Sequence, residues 1–502
     1  MPGQLETGKP HPAQRRGDVA ALGVVLFYCA VYAAVRLAIS STMGLDDAEQ
    51  FLGSASLSWG YARQPPLYTW LVWTAFSLFG RSVEVLVAVK YLTLFLFYGG
   101  FYLLARSFWN VKESLLVTAS LLLIPTYSYE FNREATHNVL MTAMAVATCL
   151  FAVRLALRQR TADYVFLGVF VALGGLSKYN FALFVIALLL AAVSTSEGRR
   201  AIFDKRMALS ASVCLALFLP HLLWLVREDF LPVRYALERV EAGETPGSLS
   251  GVFSVMVSPY LDVLVYAFLF LLFFRGRFSL RGKGQAVPMV EWLALYALAV
   301  PLVVTVLFQA GNFQGRWLAS VLFTVPLAMF SRTTLRDWSW RVGAFGALCV
   351  FAALAVLGLR SFAGFFPDEA GKVERINTPF EVVSLGLRAE LERQGVEDFK
   401  GYSVASGDPY LAANVMAWLP GSRFVPLDTH EAAAVKREFG TQGGVVVWNE
   451  SSGDSPHRSE AARAFPSAVF LNISAPYLHA RQFPPYVLGA AVVPPQRQRH
   501  TR

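Results

Sequence analysis

Charge is what this sequence is short of. Asp, Glu, Lys and Arg supply 16% of its 502 residues, against about 25% in an ordinary soluble domain. Too few polar side chains remain to cover a water-exposed surface. That excludes a soluble enzyme, a coiled coil and a disordered tail protein. Cysteine is equally scarce: Cys29, Cys149, Cys214 and Cys349 each lie inside an apolar run, so neither a disulfide framework nor a CxxC metal site is available. GxGxxG and P-loop motifs are absent, as are internal repeats.

What is present is apolar surface. Hydrophobic residues make up 55% of the chain and crowd into positions 19–360. A spanning helix needs about 20 mainly apolar residues. Runs of that kind lie near 19–40, 84–105, 114–129, 136–156, 162–177, 179–195, 207–226, 251–274, 288–309, 316–331 and 342–360. The first is long for the core of a signal peptide and reads as a retained span. Pro66–Phe79 is too short to cross and reads as an interfacial or re-entrant helix.

The net charge of +9 belongs to this membrane pattern rather than to nucleic-acid binding. Arg154, Arg158, Arg160, Arg199, Arg200, Lys205 and Arg206 fall in alternate inter-span segments, and the opposite segments are poorer in Lys and Arg. Basic loops stay in the cytoplasm, which predicts about eleven spans with a cytoplasmic N-terminus. The expected fold is therefore mainly α: a polytopic helix bundle over residues 1–360, followed by an outer-face α/β domain over 361–502. Within that domain Gly401–Ser406, Arg423–Leu427, Gly443–Trp448 and Ser467–Asn472 read as strands. Pro409–Leu419 and His430–Phe439 read as helices, and alternation of this kind suggests an α/β layer.

The first outer loop, residues 41–82, concentrates the chemistry. Asp46, Asp47 and Glu49 follow directly on the first span. Three carboxylates so close together call for a cation, an arginine or a substrate hydroxyl, and one of them is placed to act as a general base. A solvated helix start favoured by the helix dipole accounts for the same residues without chemistry. Farther on come Trp59, Gly60, Tyr61, Arg63, Gln64, Pro65, Pro66, Tyr68 and Trp70. There the prolines stiffen the entry to the short helix and the aromatics suit headgroup depth.

Taken together, Asp46-Asp47-Ala48, Trp59-Gly60-Tyr61, Gln64-Pro65-Pro66-Leu67 and Trp70-Leu71 resemble the first-loop signature of the GT-C membrane glycosyltransferases. The similar branch is that of the protein O-mannosyltransferases and the lipid A aminoarabinose transferases. Thr136-His137-Asn138, Leu176-Ser177-Lys178-Tyr179-Asn180 and Arg316-Trp317 extend the likeness. The resemblance implies transfer of a sugar from a polyprenyl-phosphate donor to a glycolipid, polysaccharide or protein acceptor. The setting it implies is the outer face of a bacterial cytoplasmic membrane, with a periplasmic C-terminal domain. It implies Asp46 as the catalytic carboxylate with Asp47 in support, and a divalent cation (Mg, Mn or Zn) as a candidate partner of both. Lys178, Arg316, Arg63 and Gln64 are the implied ligands of the donor phosphate. Glu49, His137, Asn138 and Tyr61 are further candidates for binding substrate.

Two positions depart from the family. Arg63-Gln64 stands where many members have an acidic residue followed by His or Lys, and His137-Asn138 stands where many have Asp. Both changes remove oxygen ligands, so they argue against a tightly held metal and for a different donor or acceptor. A lipid or solute transporter and a non-catalytic GT-C relative remain alternatives. Arg36 and Lys90 are close enough to span ends to snorkel. His221 beside Pro220 is expected to bond a carbonyl freed by the proline.

Overall fold

A computed structural model describes residues 12–134, 136–234, 249–279, 286, 288–307, 318–335, 339–427, 432–439, 443–451 and 456–494. Arg316 and Trp317 lie outside the described residues. The chain divides into two compact units, one formed by Met1–Tyr32, Leu57–Trp70 and Lys90–Val356, the other by Ala33–Ser56, Leu71–Val89 and Leu357–Arg502.

The apolar runs fold as helices. They are α1 (Pro12–Ile39), α2 (Leu45–Gly53), α3 (Leu67–Phe79), α4 (Val83–Ala105), α5 (Val111–Ala119), α6 (Thr136–Arg158), α7 (Thr161–Ser177), α8 (Phe181–Val193) and α9 (Ser196–Ile202). There follow α10 (Met207–Arg227), α11 (Leu249–Phe274), α12 (Pro288–Leu307), α13 (Thr324–Ser331) and α14 (Trp340–Phe365). Among the described residues α1, α4, α6, α10 and α14 are long and apolar enough to cross a membrane. The pair α8 and α9, bent by 113° at Ser194–Thr195, makes a sixth if it is one broken span. Other expected runs are apolar helices of 10–17 residues, among them α3 and α7.

One expected run is not a continuous helix. The segment 114–129 breaks after α5 into a 3₁₀ turn at Ser120–Leu123 and a π turn at Thr126–Glu130. Its cause is Pro125. A residue before proline is pushed out of the helical region, and Ile124 is extended at φ −97°, ψ 110°. The Thr126 amide released by the break donates to Asp262 of α11 at 3.1 Å, and the Thr126 hydroxyl donates to the same carboxylate oxygen at 2.6 Å.

In the first unit α7 packs against both α6 and α10, and α12 against α8. Gly168 on α7 lies so close to Ser210 on α10 that a Cβ would sit 2.3 Å from the Ser210 carbonyl oxygen.

The second unit carries the C-terminal sheet. Its strands are β1 (Ser403–Ser406), β2 (Arg423–Pro426), β3 (Gly444–Asn449), β4 (Val469–Ala475) and β5 (Tyr486–Val493), in the order β2-β1-β3-β5-β4. The β1 pairings with β2 and β3 are parallel; β5 runs antiparallel to β3 and β4. Four of these strands fall on the runs read from the sequence, and β5 is additional. Helices α15 (Phe380–Arg393), α16 (Pro409–Met416), α17 (Ala432–Phe439) and α18 (Pro456–Ala464) cover the sheet. Phe439 and Phe465 stack at 5.0 Å in the core between α17, α18 and the strands.

Candidate active site

The acidic cluster forms the start of α2. Gly44 is extended, and its amide donates to Asp47 Oδ2 at 3.4 Å, so Asp47 helps close the helix N-terminus. Asp47 is buried together with Ala48 and Phe51, whereas Asp46 and Glu49 are half-buried. Residues three apart share a helix face and adjacent ones do not. Asp46 therefore shares the less buried side with Glu49, while Asp47 turns inward.

Both ends of this helix are held by arginine. At the approach, Arg36 donates to the carbonyl oxygen of Ser40 at 2.7 Å and to that of Thr42. At the exit, Arg81 donates to the carbonyls of Ser54 and Phe51 and lies over the Phe51 ring, 4.3 Å from its centroid. A cation at a helix C-terminus satisfies orphan carbonyls and complements the dipole. Burial draws the Arg81 guanidinium down from its usual value. Arg36, expected to snorkel, thus takes a specific role in shaping the backbone ahead of the carboxylates.

The proline turn belongs to the first unit. Tyr68, one residue into α3, is fully buried, and its ring lies 5.3 Å from that of His137 at the start of α6. The His137 Nδ1 shares a 3.3 Å hydrogen bond with the Ser177 carbonyl. Next along from Ser177, Lys178 donates through Nζ to Asn138 Oδ1 at 2.8 Å. Three expected site residues, His137, Asn138 and Lys178, are thereby brought together with the aromatic Tyr68 by the starts of α3 and α6 and the end of α7. Pro65 and Pro66 are buried, Gln64 is half-buried and Arg63 is exposed. Tyr61 is half-buried, and its hydroxyl accepts from the Ser58 amide at 3.3 Å. Burial raises the Tyr61 hydroxyl above the usual tyrosine value.

The turn has a support that sequence reading missed. His221 Nδ1 lies 2.7 Å from the carbonyl oxygen of Trp59, and its Nε2 lies 3.3 Å from the Tyr179 hydroxyl. A carbonyl can only accept, so Nδ1 carries a proton and neutral His221 accepts from Tyr179. The carbonyl that His221 bonds is therefore that of Trp59, in the first outer loop, and not one freed by Pro220. Trp224 stacks on His221, and Gly60 fits against Trp224 so closely that a Cβ would lie 2.1 Å from its ring. Lys90, also expected to snorkel, is buried and donates to the Asn132 carbonyl at 3.3 Å.

Among the described residues no three His, Cys, Asp or Glu side chains are arranged to hold a metal ion. Asp46 and Asp47 point to different sides of α2, and Asp47 is engaged at the helix start. This donor set does not fit a divalent cation.

Positions 63–224 match the family described as dolichyl-phosphate-mannose-protein mannosyltransferase. The lipopolysaccharide core galacturonosyltransferase RgtB of Rhizobium johnstonii is 32% identical over 80% of this chain and 81% of its own length. The chain belongs to the GT-C membrane glycosyltransferases. A second member, the core galacturonosyltransferase RgtA of the same organism, is 27% identical over 92% of this chain and 95% of its own. The likeness of fold covers most of the chain. The crystal structure of ArnT from Cupriavidus metallidurans bound to undecaprenyl phosphate superposes with a TM-score of 0.59. That likeness covers 93% of this chain and 98% of ArnT at 14% identity.

Proposed function

We propose that this glycosyltransferase moves a uronic acid from a polyprenyl-phosphate donor to the core of a lipopolysaccharide-like glycolipid. The lipid carrier follows the undecaprenyl phosphate bound to ArnT, and the sugar and acceptor follow the names of the two galacturonosyltransferases. Acceptor and donor meet, in this reading, at the outer face of a bacterial inner membrane. The bundle has about eleven spans, the N-terminus is cytoplasmic and the C-terminal domain periplasmic.

The observation that carries the reading is the Lys178–Asn138 pair. A neutral amide orients the ammonium without cancelling its charge, as a carboxylate would. Such a cation is suited to the phosphate charge that develops as the glycosidic bond breaks. Asp46 is the general base. It takes the proton of the acceptor hydroxyl, whose oxygen attacks the anomeric carbon. Polyprenyl phosphate leaves with the bonding pair, and the anomeric configuration inverts. Asp47 maintains the helix that carries Asp46. Arg63, Gln64 and Arg316 add polar contacts to the donor phosphate; Glu49, His137, Asn138 and Tyr61 contact sugar or acceptor.

The test is transfer in proteoliposomes from polyprenyl-phosphate galacturonic acid to a core-truncated lipopolysaccharide, read by mass spectrometry. Wild type is expected to add one hexuronic acid per acceptor and release polyprenyl phosphate, and Asp46→Asn to add none. Transfer undiminished in Asp46→Asn would overturn its assignment as base. A wild-type protein that accepts other polyprenyl-phosphate sugars and refuses the uronic acid would overturn the sugar class.

A further inference from the structure

The carboxylate helix is too short to hold itself in place. Isolated helices below about 12 residues are marginal in water, and α2 has nine, with a glycine at its N-cap that offers no side chain. Its position must come from packing and from what grips the four residues Ser40–Met43 just ahead of its N-cap.

All four are gripped, within the unit that carries the sheet. The Ser40 hydroxyl accepts from the Thr42 amide at 2.9 Å. The Ser41 hydroxyl donates to Glu381 Oε2 of α15 at 2.7 Å. Thr42 donates through Oγ1 to the Thr378 carbonyl at 2.7 Å. The Met43 amide donates to Asn414 Oδ1 of α16 at 2.8 Å. Asn414 in turn donates from Nδ2 to the Tyr410 carbonyl, one turn earlier in α16, at 2.9 Å. That second bond settles which way the amide faces: nitrogen to Tyr410, oxygen to Met43. Thr42, Met43 and Asn414 are all buried, so water cannot replace a lost partner. The inward side of α2, with Ala48 and Phe51, packs on α16 as well.

We propose that Asn414 is a positioning residue for the reaction: through the Met43 amide it fixes the start of α2, and so the placement of Asp46. It touches neither substrate nor the reacting atoms. Only Gly44 and Leu45 separate Met43 from Asp46, so a shift at Met43 has less than one helical turn in which to be absorbed. This inference rests on the reading of Asp46 as general base. It gives the C-terminal domain a part in the chemistry as the seat of the carboxylate helix.

The experiment compares full-length wild type, Asn414→Ala, Asn414→Asp and Thr42→Val in lipid nanodiscs. Amide hydrogen exchange over residues 40–53 is measured alongside sugar transfer. Leaving one buried amide without its acceptor speeds exchange of the 43–48 amides by on the order of 10-fold or more. Transfer is expected to fall by a similar factor, mainly in kcat rather than in donor KM. Asn414→Asp keeps an acceptor for Met43 and is expected to preserve most of the protection. Thr42→Val removes a neighbouring anchor and gives the same readout should Asn414→Ala not fold. Unchanged exchange in both Asn414→Ala and Thr42→Val would overturn the proposal, and so would faster exchange with undiminished transfer. Faster exchange in a protein whose wild type transfers no sugar would uphold the seat while overturning the glycosyltransfer reading.

Discussion

The imidazole of His221, fully buried within a hydrophobic helix, is bonded at 2.7 Å to the main-chain carbonyl of Trp59, 162 positions earlier in the chain. A polar ring in an apolar helix is thus satisfied by the loop that leads into the proline turn. Tyr179 fills the opposite nitrogen and Trp224 the ring face.

His221→Phe keeps the ring volume and removes both hydrogen bonds. Leaving the Trp59 carbonyl without its donor costs about 1–3 kcal/mol, expected as a lowered Tm in detergent and faster proteolysis within residues 57–64. Gly60→Ala acts on the same seam by overlap with Trp224 and is expected to lower Tm as well. An unchanged Tm and cleavage pattern in both variants would contradict the pairing.

Asp262 serves the break at Pro125. Both polar groups of Thr126 point at one carboxylate oxygen. Asp262→Ala strands them inside the bundle and is expected to cost about 1–3 kcal/mol. Asp262→Asn keeps an acceptor oxygen and is expected to cost less. Thermal unfolding of the three proteins side by side checks the order.

Lys178 and Asn138 are expected to act as one device. Lys178→Met removes the charge and should lower kcat/KM for transfer by about 100-fold, the scale of losing one preorganised group at a developing oxyanion. Asn138→Leu leaves the charge and frees its direction, so a smaller loss, concentrated in donor KM, is expected. The double variant should be no worse than Lys178→Met alone; additive losses would show that the two residues act separately.

Chelation is expected to leave transfer intact, because the acidic donors of α2 do not converge. Activity lost in EDTA and restored by Mg, Mn or Zn would show that a cation takes part after all.

In the turn before α10, Arg206 bonds the carboxylate of Asp204 at 2.7 Å and draws its pKa down to about 2. A depressed carboxyl stabilises the fold above its unfolded value of about 4, and that contribution is lost as pH falls through the folded value. The Tm difference between wild type and Asp204→Asn is therefore expected at pH 6, shrinks as pH falls below about 4 and is gone only below about pH 2.

Helices were the legible part of this chain, because a run of apolar residues is sufficient evidence of one. The break at Ile124 was legible too, in Pro125, but average hydropathy hides a single backbone residue. Strand β5 escaped for the opposite reason. Tyr486–Val493 is buried along nearly its whole length, so it shows no alternation, and an apolar run that short does not distinguish strand from helix. In the candidate site, residue types in the first loop point to one segment, residues 41–82. What sequence does not carry is partnership at long range. Asn138 meets Lys178 across 40 positions and Met43 meets Asn414 across 371. Asn414 stands in an ordinary amphipathic stretch, with nothing local to single it out.

That last span has a consequence for how the protein is made. Residues 41–43 leave the ribosome near the beginning of synthesis, and their anchors at Thr378, Glu381 and Asn414 only in its last quarter. Until those anchors arrive, the acidic helix has only the arginines at its two ends to hold it, and closing so long a loop is a late event. A chain cut short before Asn414 would carry every carboxylate of the first loop and still lack their seat.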